Sequence, residues 1–209
     1  FGSAGGAALR IDEGGMTHAQ SRWVEKTIAR QGTVVVEPWY DRQLDLSFLF
    51  RIENGILREI GLNHFITDAG GRYRGAFLAP FKASLPPGVR RFVYQAGENE
   101  QWVRQTCRQI VQGLLPVLNE HGFSGLAGID LMIVKDAGGE LKLRVPLELN
   151  PRTTMGHVAH AIARPMGSRG SGLWLLLTHK EVAASSCSSF AELYDQLDQS
   201  LPRVMAEGP

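Results

Sequence analysis

Leu147-Glu148-Leu149-Asn150-Pro151-Arg152-Thr153-Thr154-Met155-Gly156 closes an apolar run with a carboxylate and a carboxamide two residues apart. On a strand, positions i and i+2 share a face. Glu148 and Asn150 then aim two oxygen ligands at one point, which suits a hard cation such as Mg2+. Pro151 ends the strand, because it has no N–H for a ladder. Arg152 adds a planar cation matched to phosphate or carboxylate, and a structural ion pair is its other reading.

Upstream, Asp130 interrupts the apolar run Gly128-Ile129-Asp130-Leu131-Met132-Ile133. Carboxylates in such runs are rare unless paired or bound to metal. Leu126–Val134 and Glu140–Leu149 read as a hairpin around Asp136-Ala137-Gly138-Gly139. A plain turn at Ala137-Gly138 sets Asp130 opposite Val145, roughly 10 Å short of Glu148 along the strand. A bulge at Pro146 recovers part of that offset. Asp130 therefore ranks behind Glu148 and Asn150 as a ligand.

Working back toward the start, Leu44–Ile52 alternates, with Leu46, Phe48 and Phe50 on one face and Asp45, Ser47 and Arg51 on the other. Strands at Ile56–Phe65 and Tyr73–Leu78 follow, with turns at Glu53-Asn54-Gly55 and Asp68-Ala69-Gly70-Gly71. Thr33–Glu37 reads as a buried strand from its β-branched content. Glu37 ends it, and Pro38, Trp39 and Tyr40 wall an apolar slot. Asp45 can accept from sugar hydroxyls. Taken alone, Glu37 reads better as a solvated strand end, and Asp45 better as part of the exposed face of an alternating strand.

Helices are expected at Thr17–Gln31, capped by Thr17 and stopped by Gly32, and at Glu98–His121, with Pro116 kinking its last turns. Lys82–Gly97 reads as a Pro-containing connection. A short helix over His157–Arg164, an apolar strand over Gly172–Thr178 and a helix over Ser188–Leu201 complete the chain. Antiparallel strands with interspersed helices define an α+β class. His157 and His160 lack a third ligand, so they contact a substrate or cap a helix in preference to binding zinc.

Composition excludes some functions. Hydrophobic residues make up 44% and charged residues 21%, and the net charge is +1. These values give no electrostatic case for nucleic acid or an anionic membrane. No apolar run approaches the roughly 20 residues of a membrane span. Cys107 and Cys187 show no metal or redox spacing and fit a reducing, cytoplasmic compartment. Phe1-Gly2-Ser3-Ala4-Gly5-Gly6-Ala7-Ala8 is either an engineered linker or the tail of a glycine-rich phosphate loop.

Taken in order, these features resemble the ATP-grasp superfamily, whose members bind ATP between two α+β lobes and join a carboxylate to an amine or other nucleophile. The Phe1–Ala7 stretch, with Gly5 and Gly6, resembles the loop over the triphosphate. Val34-Val35-Val36-Glu37-Pro38-Trp39-Tyr40 resembles the adenine hinge, and Leu44-Asp45-Leu46-Ser47 the ribose side. Gly128-Ile129-Asp130 and Glu148-Leu149-Asn150-Pro151-Arg152 resemble the paired strands that hold Mg2+.

The resemblance implies an ATP-grasp-like α+β fold of antiparallel sheets and packed helices over residues 1–165, with 166–209 as a strand-helix extension. It also implies that the chain is the later part of a longer enzyme, inactive by itself. The implied cofactors are ATP and Mg2+, with Glu148, Asn150 and Asp130 as ligands and Arg152 as the catalytic arginine. The implied substrates are a small carboxylate and an amine, joined through an acyl phosphate, and a homo-oligomer is compatible with them. A regulatory ATP-binding module, and a carboxylase or phosphoryl transferase on the same scaffold, remain open alternatives.

Overall fold

A computed structural model describes residues 9–78, 80–94, 100–166 and 171–200. The chain divides into two compact units, one running to Trp174 and one starting at Leu175. Gly5 and Gly6 lie outside the described residues.

The first unit is built on strand β1, Asp41–Glu53. Its even positions Leu44, Leu46, Phe48, Phe50 and Ile52 are buried in one core with Ala127, Ile129, Leu131 and Ile133 of β4, Gly125–Lys135. The two sets face each other in register, as in Leu46 opposite Leu131 and Phe48 opposite Ile129. Strict alternation on both strands therefore writes one continuous apolar face. Helix α3, Pro87–Tyr94, and helix α4, Gln101–Glu120, contribute Val89, Val93, Val103, Cys107 and Val111 to that core.

β1 turns into β2, Ile56–Thr67, through Asn54 and Gly55 at φ 51° and 74°. Two central residues with positive φ match the twist of the flanking strands, which is why Asn-Gly stands there. Asp68 and Asp136 organise the other two turns the same way. Each Oδ1 accepts from two backbone N–H groups, Gly70 and Arg72 in one case, Gly138 and Glu140 in the other. β3, Tyr73–Phe77, and β5, Leu141–Asn150, follow from these turns.

Among the described residues the strands form one six-stranded antiparallel sheet, ordered β5-β4-β1-β2-β3-β6, in place of the several sheets expected. The last strand, β6, is only Leu173–Leu175. The expected strand to Thr178 is cut short because Thr178 accepts from Glu181 N and caps α6, His179–Ala184. The second unit also holds α7, Phe190–Ser200. Among the described residues, no helix is long and apolar enough to cross a membrane.

Two further readings need correction. Thr33–Glu37 joins no strand, and Val35 and Val36 are each 82% exposed. β-branched content favours a strand only where a neighbour supplies the ladder, and none does among the described residues. The Lys82–Gly97 connection contains α2, Phe81–Ser84, and α3, which opens on Pro87, the position where a missing N–H does no harm. Helix α1, His18–Gln31, stands as expected, with the Thr17 cap and Gly32 at φ 82°.

The opposite face of the sheet is polar and partly covered by α5, Met155–Ala163. Gly156 makes this close approach feasible. A Cβ there would stand 3.1 Å from Leu49 Cδ2 and 3.3 Å from Asn63 Nδ2. Gly156→Ala is expected to lower stability by about 1 kcal/mol, overpacking outweighing the gain in helix propensity. Urea denaturation checks this, and an unchanged or raised midpoint would mean that α5 does not bear on the sheet.

Candidate functional site

Register on the polar face gathers the expected residues into rows. Asn63, Ser47, Asp130 and Glu148 lie side by side across β2, β1, β4 and β5. The row beside it runs Phe65, Asp45, Met132, Arg144. The row on the other side runs Gly61, Leu49, Gly128, Asn150.

Asp130 therefore stands directly opposite Glu148, which corrects the plain-hairpin expectation. The pairing slips between Asp130 and Met132, so that Leu131 alone faces Val145, Pro146 and Leu147. Pro146 cannot contribute a ladder N–H, and the excess is absorbed there. The excess is two residues. A one-residue slip would have turned Glu148 and Asn150 to the other face, whereas two preserve the alternation.

The side chains form a chain of hydrogen bonds. Ser47 Oγ donates to Asp130 Oδ1 in a short contact. Asn150 Nδ2 donates to Asp130 Oδ2 at 3.1 Å, and Arg152 Nη2 donates to Asn150 Oδ1 at 2.9 Å. Arg152 N also donates to Asn150 O at 2.8 Å, which tightens the strand end. Asn150 is 5% exposed, while Glu148 and Arg152 are exposed at the rim. Burial pushes the Asp130 carboxyl up to about 6. The Ser47 bond opposes that shift, the facing Glu148 charge adds to it, and Asn150 and Arg152 oppose it.

Asp45 anchors the neighbouring row. It is 9% exposed, not solvated, and accepts from Thr67 Oγ1 at 2.6 Å, with Arg42 Nη1 3.5 Å away. Burial raises its pKa, and Thr67 and Arg42 pull the other way. At the far end of that row the Arg144 guanidinium lies 4.8 Å from the Tyr40 ring centroid. Tyr40 is thus brought beside the polar face. Glu37 and Trp39 are exposed, and Trp39 stacks on Arg10 at 5.5 Å. No contact links either of them to the Asp130 row among the described residues.

His157 and His160 do not form a metal pair. His157 Nδ1 accepts from Thr154 N at 3.1 Å, so His157 closes the first turn of α5. Among the described residues, no group of three or more His, Cys, Asp or Glu side chains is gathered for a metal.

The sequence reading missed Asn63, Thr67 and Met132. Period-2 spacing from Asn63 to Thr67 was the available signal. Only the β1–β2 register tells which alternate set shares a face with Ser47. Comparison of the chain with family models and with curated proteins found no match to either.

Proposed function

We propose that the chain is the nucleotide-binding part of an ATP- and Mg2+-dependent ligase that joins a carboxylate to an amine. The observation that carries this reading is Asp130 opposite Glu148 on one face, with Asn150 bonded to Asp130. Like charges directly opposite on a ladder repel, and a cation between them relieves the repulsion. Burial is the main reason the Asp130 pKa is raised, and the facing Glu148 charge adds to it. Two carboxylates and an amide oxygen make a hard donor set. Mg2+ takes few protein ligands and fills the rest of its shell with water and phosphate oxygens. Asn150 Oδ1 keeps a second lone pair after accepting from Arg152.

When bound, Mg2+ supplies charge neutralisation at phosphate oxygens. The chain's own residues orient and bind. Ser47 and Asn150 fix the Asp130 carboxylate. Arg152, steadied by Asn150, turns its remaining N–H groups to an anionic oxygen, the phosphate or the substrate carboxylate. Asp45, held by Thr67 and Arg42, offers an acceptor for sugar hydroxyls. The adenine side, Glu37, Trp39 and Tyr40, rests on the sequence resemblance together with the stacking of Tyr40 on Arg144.

Thermal unfolding with and without Mg·ATP tests the reading. The midpoint is expected to rise with Mg·ATP, to rise less with ATP and a chelator, and not to move in Glu148→Ala. A full shift in Glu148→Ala removes the metal assignment, and no shift in the unsubstituted chain removes nucleotide binding.

A further inference from the structure

The Arg152 guanidinium is held from two sides. Its Nη2 donates to Asn150 Oδ1 at 2.9 Å, and its Nη1 donates to Thr153 O at 3.5 Å, a long bond that depends on how that carbonyl is turned. The N–H of Thr154 belongs to the same peptide unit as the Thr153 carbonyl, and it donates to His157 Nδ1 at 3.1 Å. A peptide unit is planar, so these two groups cannot turn independently. His157 thus fixes one edge of the plane whose other edge meets the guanidinium. The chain of hydrogen bonds that starts at Ser47 and passes through Asp130, Asn150 and Arg152 ends at this imidazole.

The imidazole can do this in one ionisation state only. Nδ1 accepts from a backbone N–H, so the single proton of the neutral ring is on Nε2. A second proton would sit on Nδ1 and face the Thr154 N–H, donor against donor. Thr154 Oγ1 lies 2.9 Å from the same nitrogen and is the acceptor that a charged ring takes instead. The ring therefore has two partners on one residue, and the proton selects between them. His157 is 7% exposed, and burial lowers its pKa. The Phe50 carbonyl on β1 opposes that shift, the charge of His160 one turn along α5 adds to it, and the Ala127 carbonyl on β4 opposes it, although among the described residues no group meets Nε2 in full hydrogen-bond geometry. Burial, Arg164 and Arg104 of α4 lower the pKa of His160 as well. β2 and β3 bring Asn63 and Ala76 against α5, and the Tyr73 phenol of the same cluster titrates only at about 12.

We propose that His157 is a positioning residue for Arg152, acting through the Thr153–Thr154 peptide while its imidazole is neutral. Protonation turns the peptide, and the guanidinium loses its bond to Thr153 O and keeps only Asn150. Arg152 is then placed for an anionic oxygen at neutral pH and released as pH falls below 6.5, the value of the free imidazole, through the lower value of His157. That the anion belongs to a nucleotide or a carboxylate substrate rests on the ligase reading, whereas the coupling of His157 to Arg152 does not.

No nucleotide enters the test, so its outcome is separate from the ligase reading, which stands or falls on the thermal shifts above. The Thr154 amide and Arg152 Nε–Hε signals of 15N-labelled chain are followed by NMR from about pH 7.5 to about pH 4.5, with the His157 ring nitrogens as internal reporter. Both signals are expected to move with the midpoint of the His157 ring. The Asp130 carboxyl titrates at about 6 on the other side of Asn150, so the series is repeated in Asp130→Asn, where both movements are expected to persist. In that background His157→Gln supplies an acceptor that does not titrate, at the helix position where Gln is an ordinary cap partner. Both signals are expected to keep their neutral-pH positions throughout. His157→Phe and His157→Leu supply no acceptor, and both signals are expected to be displaced already at about pH 7.5. If one of these two fails to fold, the other decides. A helix cap with no positioning role displaces Thr154 and leaves Arg152 where it was, and that result overturns the proposal. So does an Arg152 signal that still titrates in the Gln variant, or one that the Gln and Phe variants displace equally.

Discussion

Asp130→Asn is expected to make the ligand-free protein more stable at pH 8 and, on the proposed function, to abolish its response to Mg·ATP. The carboxyl titrates at about 6 in the folded chain against 3.8 for the free group. The folded state therefore binds the proton more tightly than the unfolded chain. Below 3.8 both states are protonated and Asp130 adds nothing. Between 3.8 and about 6 stability falls as pH rises, and above about 6 the full penalty of the buried charge is present. That penalty is about 3 kcal/mol at one pKa unit per 1.36 kcal/mol. Asparagine keeps an oxygen for Ser47 but turns an N–H2 toward Asn150 Nδ2, a loss of about 1 kcal/mol. The net expectation is a gain of about 2 kcal/mol at pH 8 that vanishes near pH 4, read from urea midpoints. Loss of stability at pH 8 would mean that Asp130 is held comfortably ionised, and the case for a cation between it and Glu148 would go with it.

Much of the fold was legible because it is written locally. The alternation Leu46, Phe48, Phe50 named both the strand and its buried face. Asn54-Gly55 and Asp136-Gly139 named the turns, since only residues tolerant of positive φ or able to cap a turn stand there. Glu148, Asn150 and Arg152 were legible as a group because i, i+2 spacing on one strand needs no partner to be interpreted. Their relation to Asp130 was not. It depends on Val145–Leu147 bulging against Leu131, and which residues bulge is decided by how β5 lies on β4. Thr33–Val36 failed for the converse reason. Its composition is that of a strand, but pairing is a property of two segments. Asn63 and Thr67 escaped notice because polar residues on an alternating strand normally face water. Here α5 covers Asn63, and Asp45 takes Thr67 as its partner.

Substituting His64 is expected to reverse the sign of the pH dependence. Burial holds this imidazole down at about 4, against 6.5 for the free group, with Ser84 pulling weakly the other way. The unfolded chain thus takes up a proton that the folded chain refuses. Stability is unaffected by His64 above 6.5 and declines as pH falls through 6.5 toward about 4, by about 3 kcal/mol in all. Asp130 works in the opposite sense over nearly the same interval, gaining about 3 kcal/mol as pH falls from about 6. The two groups lie on opposite faces of the sheet and share no partner, so their contributions add. The unsubstituted protein should consequently show a shallow profile between pH 7 and pH 4.5, tilted toward acid instability by His157 and His160, whose pKa values burial also lowers. His64→Leu leaves Asp130 the larger influence, so its urea midpoint is expected to hold or rise on acidification. Ser84 Oγ still donates to Phe81 O in that variant, so no donor is left unmade. Asp130→Asn leaves the histidines unopposed, and its midpoint is expected to fall steeply. Opposite slopes in the two single variants, and a profile near that of the unsubstituted chain in the double variant, are the expected result. Parallel slopes would show that at least one of these two buried groups is not held in the ionisation state that its surroundings dictate.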